Sequence, residues 1–305
     1  STRGGRPPLG LPQSAQAKLR ERFLVLLGEP RGVLLEDPDC AVSVAVEHAY
    51  RASRCSCRVT VRNATAAALK DLKLDVYSDD ERFGDQRSSG DTKMARLSVA
   101  LLDDDDPDDD DDDSFFVASQ NLPRLGRHAT QRSLGPGAAV EARVVAECRA
   151  PFVVPPELTV RFESGGRRHA YALRLPVAAP GFAAPDFRAA ASVPAFRQRW
   201  EAAQHEQQVV VSSRADVDDA LLTDLRDRVV GAVCKGALVA GADTSKFTIT
   251  AATTVHCSRP VPVLTRLEAN AQARAFRITV RSPSDDAAAA FKNVLQALLT
   301  SYFIM

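Results

Sequence analysis

The sequence predicts an all-β unit followed by an α+β unit. The first is an antiparallel β-sandwich, and the second is a small antiparallel sheet flanked by helices. Three observations predict them. Short apolar runs separated by turn residues fill the chain from about residue 20 to 180, as in a sandwich. A Pro- and Ala-rich junction follows from Ala178 to Phe187. Beyond it, helical and strand periodicities alternate. A chain of 305 residues is long enough for two domains, each burying its own core. The divisions expected are a flexible linker over 1–18, a sandwich over 19–180 with an acidic insertion at 103–113, and an α+β domain over 181–305.

Ser1 to Gln16 is polar and rich in Pro and Gly, and Arg3-Gly4-Gly5-Arg6-Pro7-Pro8 cannot pack a core. Strands are expected at Gly32–Leu35, Ala41–Val46, Cys57–Val61, Leu72–Val76, Leu97–Leu102, Phe115–Val117, Val140–Cys148, Leu158–Phe162 and Ala170–Leu175. Ser164-Gly165-Gly166 is a hairpin signal, because glycine reaches the left-handed backbone region that a tight hairpin turn needs. Two polar stretches, Ser78–Lys93 and Asp103–Asp113, read as solvated loops.

In the second unit Ser192 is placed to cap a helix from about Val193 to Gln204. A strand over Gln207–Val211 follows, then a helix over Asp216–Cys234 with Leu221, Leu222, Leu225, Val229 and Val233 on one face. Strands are expected at Phe247–Ala252, Val261–Glu268 and Ala275–Arg281. The last helix has Ser284 as cap, with Asp285 and Asp286 at its positive end.

The formal net charge of zero hides an asymmetry. Ten of the 39 acidic residues lie between Asp103 and Asp113, which leaves 29 acidic against 39 basic residues elsewhere. That basic excess is spread out, without the Lys/Arg block of a nucleic-acid footprint, so no nucleic-acid partner is expected. It is consistent with acidic ligands or a nearby anionic membrane. No stretch of 18 apolar residues exists, the N-terminus lacks the apolar core of a signal peptide, and the missing initiator Met suggests a piece of a longer chain. The six cysteines form no Cys-x-x-Cys pair and no histidine has ligand spacing to them, so reduced thiols are expected rather than zinc. Cys55 and Cys57, two apart in a strand, point to one face.

Catalytic patterns are missing from the sequence. It has no Gly-rich phosphate loop, no Gly-x-Ser-x-Gly elbow and no His-Glu-x-x-His pair. The histidines at 48, 128, 169, 205 and 256 are scattered. The Asp run lacks the turn residues of a rigid Ca²⁺ loop. Neither a metal nor another cofactor is expected, and the chain does not read as an enzyme.

One constellation points to binding. Along Ala275–Arg281, residues Arg277, Thr279 and Arg281 share a face opposite Phe276, Ile278 and Val280. In the preceding strand Arg266 and Glu268 share a face with Leu264. A hairpin closed by Ala269–Arg274 would set Arg266 opposite Arg277, a repulsive pair that makes sense if an anionic ligand is awaited. Trp200, the one tryptophan, lies a turn after Phe196. The stripe reads either as core or as the wall of an apolar pocket beside the arginines, the mixture typical of interface hot spots.

Several segments resemble the appendage of alpha-adaptin, the large subunit of the plasma-membrane clathrin adaptor complex. Phe196-Arg197-Gln198-Arg199-Trp200 is similar to a family Phe-Phe-Gln-Arg-Trp segment. Leu264-Thr265-Arg266-Leu267-Glu268-Ala269-Asn270-Ala271-Gln272-Ala273 resembles Leu-Leu-Arg-Leu-Glu-Pro-Asn-Leu-Gln-Ala, and Phe276–Ser282 follows at the right distance. Gly32–Glu36, Val140–Cys148, Pro156–Phe162 and Leu175-Pro176 extend the likeness through the first unit, thinly over 77–139.

The resemblance implies an immunoglobulin-like sandwich followed by a platform that binds Asp-Pro-Phe/Trp and Phe-x-Asp-x-Phe motifs of endocytic accessory proteins. It implies a cytoplasmic, monomeric appendage at plasma-membrane clathrin-coated pits, tied to the other adaptor subunits and, indirectly, to the membrane through the rest of its chain. By position the peptide-binding residues are Trp200, Arg266, Glu268, Arg277 and Arg281. Arg197 replaces a family Phe, which should either weaken or reshape the Phe pocket or instead favour a more acidic motif. A second family site on the sandwich cannot be placed from these residues. Asp113-Ser114-Phe115 has the Asp-x-Phe form that such platforms bind. The rival appendages are those of beta-adaptin and of the gamma subunit of the COPI coat; a more distant rival is an enzyme or small-molecule binder on the α+β unit.

Overall fold

The computed structural model describes residues 8–78, 96–102, 125–126, 130–239 and 247–304. The acidic tract at 103–113, the Asp113-Ser114-Phe115 segment, the strand expected at Phe115–Val117 and most of Ser78–Lys93 lie outside these residues.

Helix α1 spans Gln13–Gly28, so the segment expected to be a linker through residue 18 is helical from its thirteenth residue. Composition missed it because Pro and Gly are concentrated before Gln13, and Pro12 occupies the helix-start position. Ala15 and Leu26 are buried, and Lys18 pairs with Asp37 at 2.9 Å.

Strands β1 (Arg31–Leu35), β2 (Val42–Arg51), β3 (Arg54–Asn63), β5 (Leu97–Leu101) and β7 (Ala139–Cys148) form one antiparallel sheet in the order β1-β2-β3-β7-β5. Strands β4 (Leu69–Tyr77), β6 (Gln131–Leu134), β8 (Glu157–Ser164) and β9 (Arg167–Arg174) form the second, ordered β6-β4-β8-β9. Alternate residues of each enter the shared core. Val42, Val44 and Val46 do so on β2, with Cys55, Cys57, Val59 and Val61 on β3. Leu158, Val160 and Phe162 face them from β8, with Tyr171 and Leu173 on β9. The β8–β9 hairpin turns through Gly165 and Gly166, with φ of 59° and 72°, where a Cβ would be strained. On the outer face Arg58 pairs with Glu47 at 3.2 Å and reaches buried Glu141 at 3.6 Å.

Phe182 joins the two units. It is buried edge-on against Tyr50, with centroids 5.0 Å apart, and Tyr50 donates its hydroxyl to the Pro176 carbonyl at 3.1 Å. The preceding residue has to be glycine at this approach, because a Cβ on Gly181 would lie 2.2 Å from the Tyr50 ring.

The second unit has a five-stranded antiparallel sheet ordered β10-β12-β13-β14-β11. Its strands are β10 (Ala183–Pro185), β11 (His205–Ser212), β12 (Thr248–Val255), β13 (Val261–Asn270) and β14 (Ala275–Ser282). Helix α5 (Asp285–Ile304) covers one face, placing Phe291, Leu295 and Leu299 in the same core as Phe276, Ile278 and Val280. Ser284 caps it, accepting from the Ala287 amide at 3.3 Å. Helices α2 (Phe187–Ala190) and α3 (Val193–Ala202) lie on part of the other face. Ser192 caps α3, accepting from Ala195 N–H. Helix α4 (Asp219–Leu225) is capped by Asp218 rather than starting at Asp216, and it continues as a π-helical turn over Arg226–Gly231. Among the described residues no helix is long and apolar enough to cross a membrane.

The thiols yield a testable consequence. Burial pushes Cys40 up to about 11 and Cys57, Cys148 and Cys234 up to about 12. Cys257, only half-buried, is also raised. A raised folded-state value stabilises the fold below the ordinary value of 9.0, and this contribution is lost as pH climbs from 9 toward 12.

 A chromogenic disulfide reagent at pH 8 should therefore modify at most Cys257 quickly in the native protein, and all six thiols after denaturation. Rapid native labelling of several thiols would contradict this burial.

Candidate functional site

The strand register lays out the face of the second sheet that α3 partly covers. Residues directly opposite one another share a face, so rows of side chains cross it. The row beneath α3 is Ala252, Leu264, Arg281 and Glu206. The next is Thr250, Arg266, Thr279 and Gln208. The third is Thr248, Glu268, Arg277 and Val210. Rows two residues apart are about 7 Å apart along the strands.

Helix α3 sits on the first row. Phe196 is buried with Ala189, Ala190, Val239, Ala252 and Leu264 in a small cluster of its own. Trp200, one turn later, packs at the margin of that cluster and is half-buried. The rings lie 5.4 Å apart at a 31° tilt. Each reading of the stripe therefore holds for one ring: Phe196 is core, and Trp200 is a partly open wall. The Arg281 guanidinium lies 5.0 Å from the Trp200 ring centroid and donates to the Trp200 carbonyl at 3.1 Å. It also pairs with Glu206 at 2.5 Å. These contacts fix the indole from below and fasten the C-terminal end of α3 to the sheet.

The structure corrects the expected arginine pair. Arg266 stands opposite Thr279, and Arg277 stands opposite Glu268. The strands run on to Asn270 and Ala275, which shortens the closing loop to residues 271–274 and shifts the register by two. Asn270 Oδ1 accepts from Ala273 N–H at 2.9 Å, and Arg274 takes a positive φ of 46°, so the tight loop is locally supported. Opposite charges then meet. Glu268 pairs with Arg277 at 2.5 Å and with Arg266 at 2.9 Å. One carboxylate thus serves two exposed guanidinium groups, and the face keeps a positive excess.

Five of the six expected residues are on this surface or its border. Arg266, Glu268, Arg277 and Arg281 share the open sheet face, Trp200 walls it, and Arg197 is exposed on α3. Arg199, by contrast, is tied to Asp186, the residue that also caps α2. Reading along the chain missed Glu206, Gln208 and Val210. Their places depend on β11 pairing with β14, about 70 residues away, and no local pattern signals that.

A deep closed pocket with a perturbed histidine or carboxylate would favour the enzyme reading. The cleft between the units, about 660 Å³, includes His48, Tyr50 and Lys235 in its lining. Burial lowers the pKa of His48, but its Nε2 is 2.8 Å from the Leu26 carbonyl, a contact that anchors the end of α1. Among the described residues no group of three His, Cys, Asp or Glu could hold a metal ion.

Residues 189–299 match the family described as "Alpha adaptin AP2, C-terminal domain". Among solved structures, the GAE domain of GGA2p from Saccharomyces cerevisiae overlaps at 8% identity and a TM-score of 0.30, covering 48% of this chain and 95% of that one. A yeast GGA1 GAE domain overlaps at 10% identity and a TM-score of 0.29, covering 48% and 98%. A GH20 exo-β-N-acetylglucosaminidase from Vibrio harveyi overlaps at 8% identity and a TM-score of 0.24, covering 80% and 40%. Overlaps this weak carry no argument about fold or function. The family match spans helix α3 and the sheet that together hold Trp200 and the arginines. Over residues 189–299, this chain is similar to the alpha-adaptin C-terminal domain family.

Proposed function

We propose that the α+β unit, over 181–305, is a platform that binds short Asp-Pro-Phe/Trp and Phe-x-Asp-x-Phe motifs of endocytic accessory proteins. In this reading the chain works by recruitment to clathrin-coated pits at the plasma membrane, and not by catalysis. The sandwich over 19–180 carries the platform, and the rest of a longer adaptor chain supplies the link to the other subunits and to the membrane.

The observation that carries the reading is the half-buried Trp200 ring beside a sheet face where three arginines share two carboxylates. A ligand phenylalanine would lose water against the indole. A ligand aspartate would meet Arg266 and Arg277, whose charge Glu268 only partly cancels. Ordering a flexible peptide uses much of this gain, so a single motif should bind at about 1–100 μM. Several motifs in one partner would raise avidity.

Calorimetric titration with an Asp-Pro-Phe peptide and a Phe-x-Asp-x-Phe peptide tests the proposal. Saturable binding in that range supports it, and the absence of binding to both peptides refutes it.

The shared carboxylate gives a second expectation. Glu268→Gln leaves Arg266 and Arg277 without their common partner. Aspartate-bearing peptides should then bind about threefold more tightly at low salt, with the gain fading at high salt, because the pairs involved are exposed and screened. An equal gain for a peptide with Asn in place of Asp would show that charge is not the cause.

A further inference from the structure

Sheet edges invite pairing with another strand, and proteins usually blunt them with short length, Pro, positive charge, bulges or a covering segment. Five of the six edge strands described here are managed in these ways or are short. β10 has three residues and includes Pro185. β1 has five residues and a break in register between Val33 and Leu35. β5 and β6 have five and four residues. β9 carries Arg167, Arg168 and Arg174 and is bridged by Leu9. β11 differs. It has eight residues, His-Glu-Gln-Gln-Val-Val-Val-Ser, without Pro, Lys or Arg, in unbroken register with β14.

The hydrogen-bond phase of β11 is also fixed. Ser213 N–H donates to Arg274 O at 2.7 Å in continuation of the β11–β14 register. Backbone groups alternate along a strand. His205, Gln207, Val209 and Val211 therefore turn theirs toward β14. Glu206, Gln208, Val210 and Ser212 turn theirs away from the sheet, and all four are exposed, Val210 by 63%. The same four residues place their side chains on the Trp200 face. The open edge and the proposed peptide site are thus continuous, joined where Glu206 holds Arg281 beneath Trp200.

We propose that β11 is a strand-addition site: an extended peptide segment flanking the anchored motif pairs with the outward backbone groups of Gln208 and Val210. This rests on the peptide reading of the Trp200 face. The occupant is a partner's linear segment rather than a second copy of the chain. An eight-residue strand offers far fewer than the roughly 20–30 residues a side of a standard interface, whereas a linear ligand needs no more. The positive excess of the adjoining face favours an acidic segment.

The test uses the whole chain and two probes, a bare Phe-x-Asp-x-Phe peptide and the same motif extended by an acidic, β-branched segment. Amide hydrogen exchange is followed by NMR with and without saturating extended peptide. The expected result is slowing by roughly tenfold or more at Gln208 and Val210, with little change at Gln207, Val209 and Val211, whose amides already face β14. The extended peptide should also bind about tenfold more tightly than the bare one. Methylating alternate backbone nitrogens of the extension should remove that advantage with the protein unaltered. Val210→Pro should do the same, because it deletes an outward N–H and no bond of the existing ladder; Val210→Lys serves if the proline variant fails to fold.

If both peptides bind equally and no alternating protection appears, strand addition is wrong and the motif site stands. If neither peptide binds, both readings fail. Alternating protection without peptide, accompanied by a concentration-dependent dimer in sedimentation, would assign the edge to a second copy and overturn the proposal.

Discussion

Trp200→Ala should weaken binding of both motif peptides by about 30-fold, the loss expected when a hot-spot aromatic worth about 2 kcal/mol is truncated. The indole borders the open face and is held on two sides, by Phe196 at 5.4 Å and by Arg281 at 5.0 Å. A wall already fixed in place loses little further freedom when a ligand ring packs on it. The fold should survive, because the buried ring of the pair is Phe196 and the small cluster around it remains. Circular dichroism and a melting curve separate lost affinity from lost structure. Arg281→Ala should cost less than Trp200→Ala, since it removes the support of the indole and leaves the indole itself. Unchanged affinity in a folded Trp200→Ala protein would remove this face from the proposal.

Phe276→Ala should be the most damaging single change considered, costing about 3–5 kcal/mol of stability. Phe276 is fully buried on the α5 side of β14 and stacks on Phe303 with centroids 5.4 Å apart. Its removal would leave a cavity between the sheet and α5 that rigid strands cannot close. The melting midpoint should fall by roughly 10–20 °C, given the size of the unit. Val210→Ala, on the exposed face of the neighbouring strand, is the control and should change stability by less than about 0.5 kcal/mol. A loss below about 1 kcal/mol at Phe276 would mean that this core is not packed as described.

Much of the architecture was legible locally. Alternation located the strands because side-chain direction reverses at every residue, whatever lies across the sheet. Ser192 and Ser284 announced their helices because a capping hydroxyl acts within three residues of itself. The Gly165-Gly166 turn was visible because its positive φ values suit glycine. Helix α1 was harder to see: its tertiary anchors, Ala15 and Leu26, are few, and a Pro- and Gly-rich start masked where the helix begins.

The candidate site was legible only in part. Residue identity and resemblance picked out Trp200, Arg197, Arg266, Glu268, Arg277 and Arg281, and the period of two put the arginines of β14 on one face. The partners of those arginines were not legible. Closing the β13–β14 hairpin with four residues instead of six leaves every side chain on its face but changes which residue stands opposite. That difference turns an expected Arg266–Arg277 repulsion into an Arg277–Glu268 attraction.

The sequence by itself determined two units, the faces of their strands and the caps of two helices. Each of these follows from covalent geometry and neighbours a few positions away. Only the tertiary structure decided that Phe196 is core while Trp200 stands at the border, that Glu268 serves two arginines, and that β11 ends the sheet with an unblunted edge. These depend on pairings between strands distant along the chain. There the pattern fixes which way a side chain points, and only the register and the strand order fix what it meets.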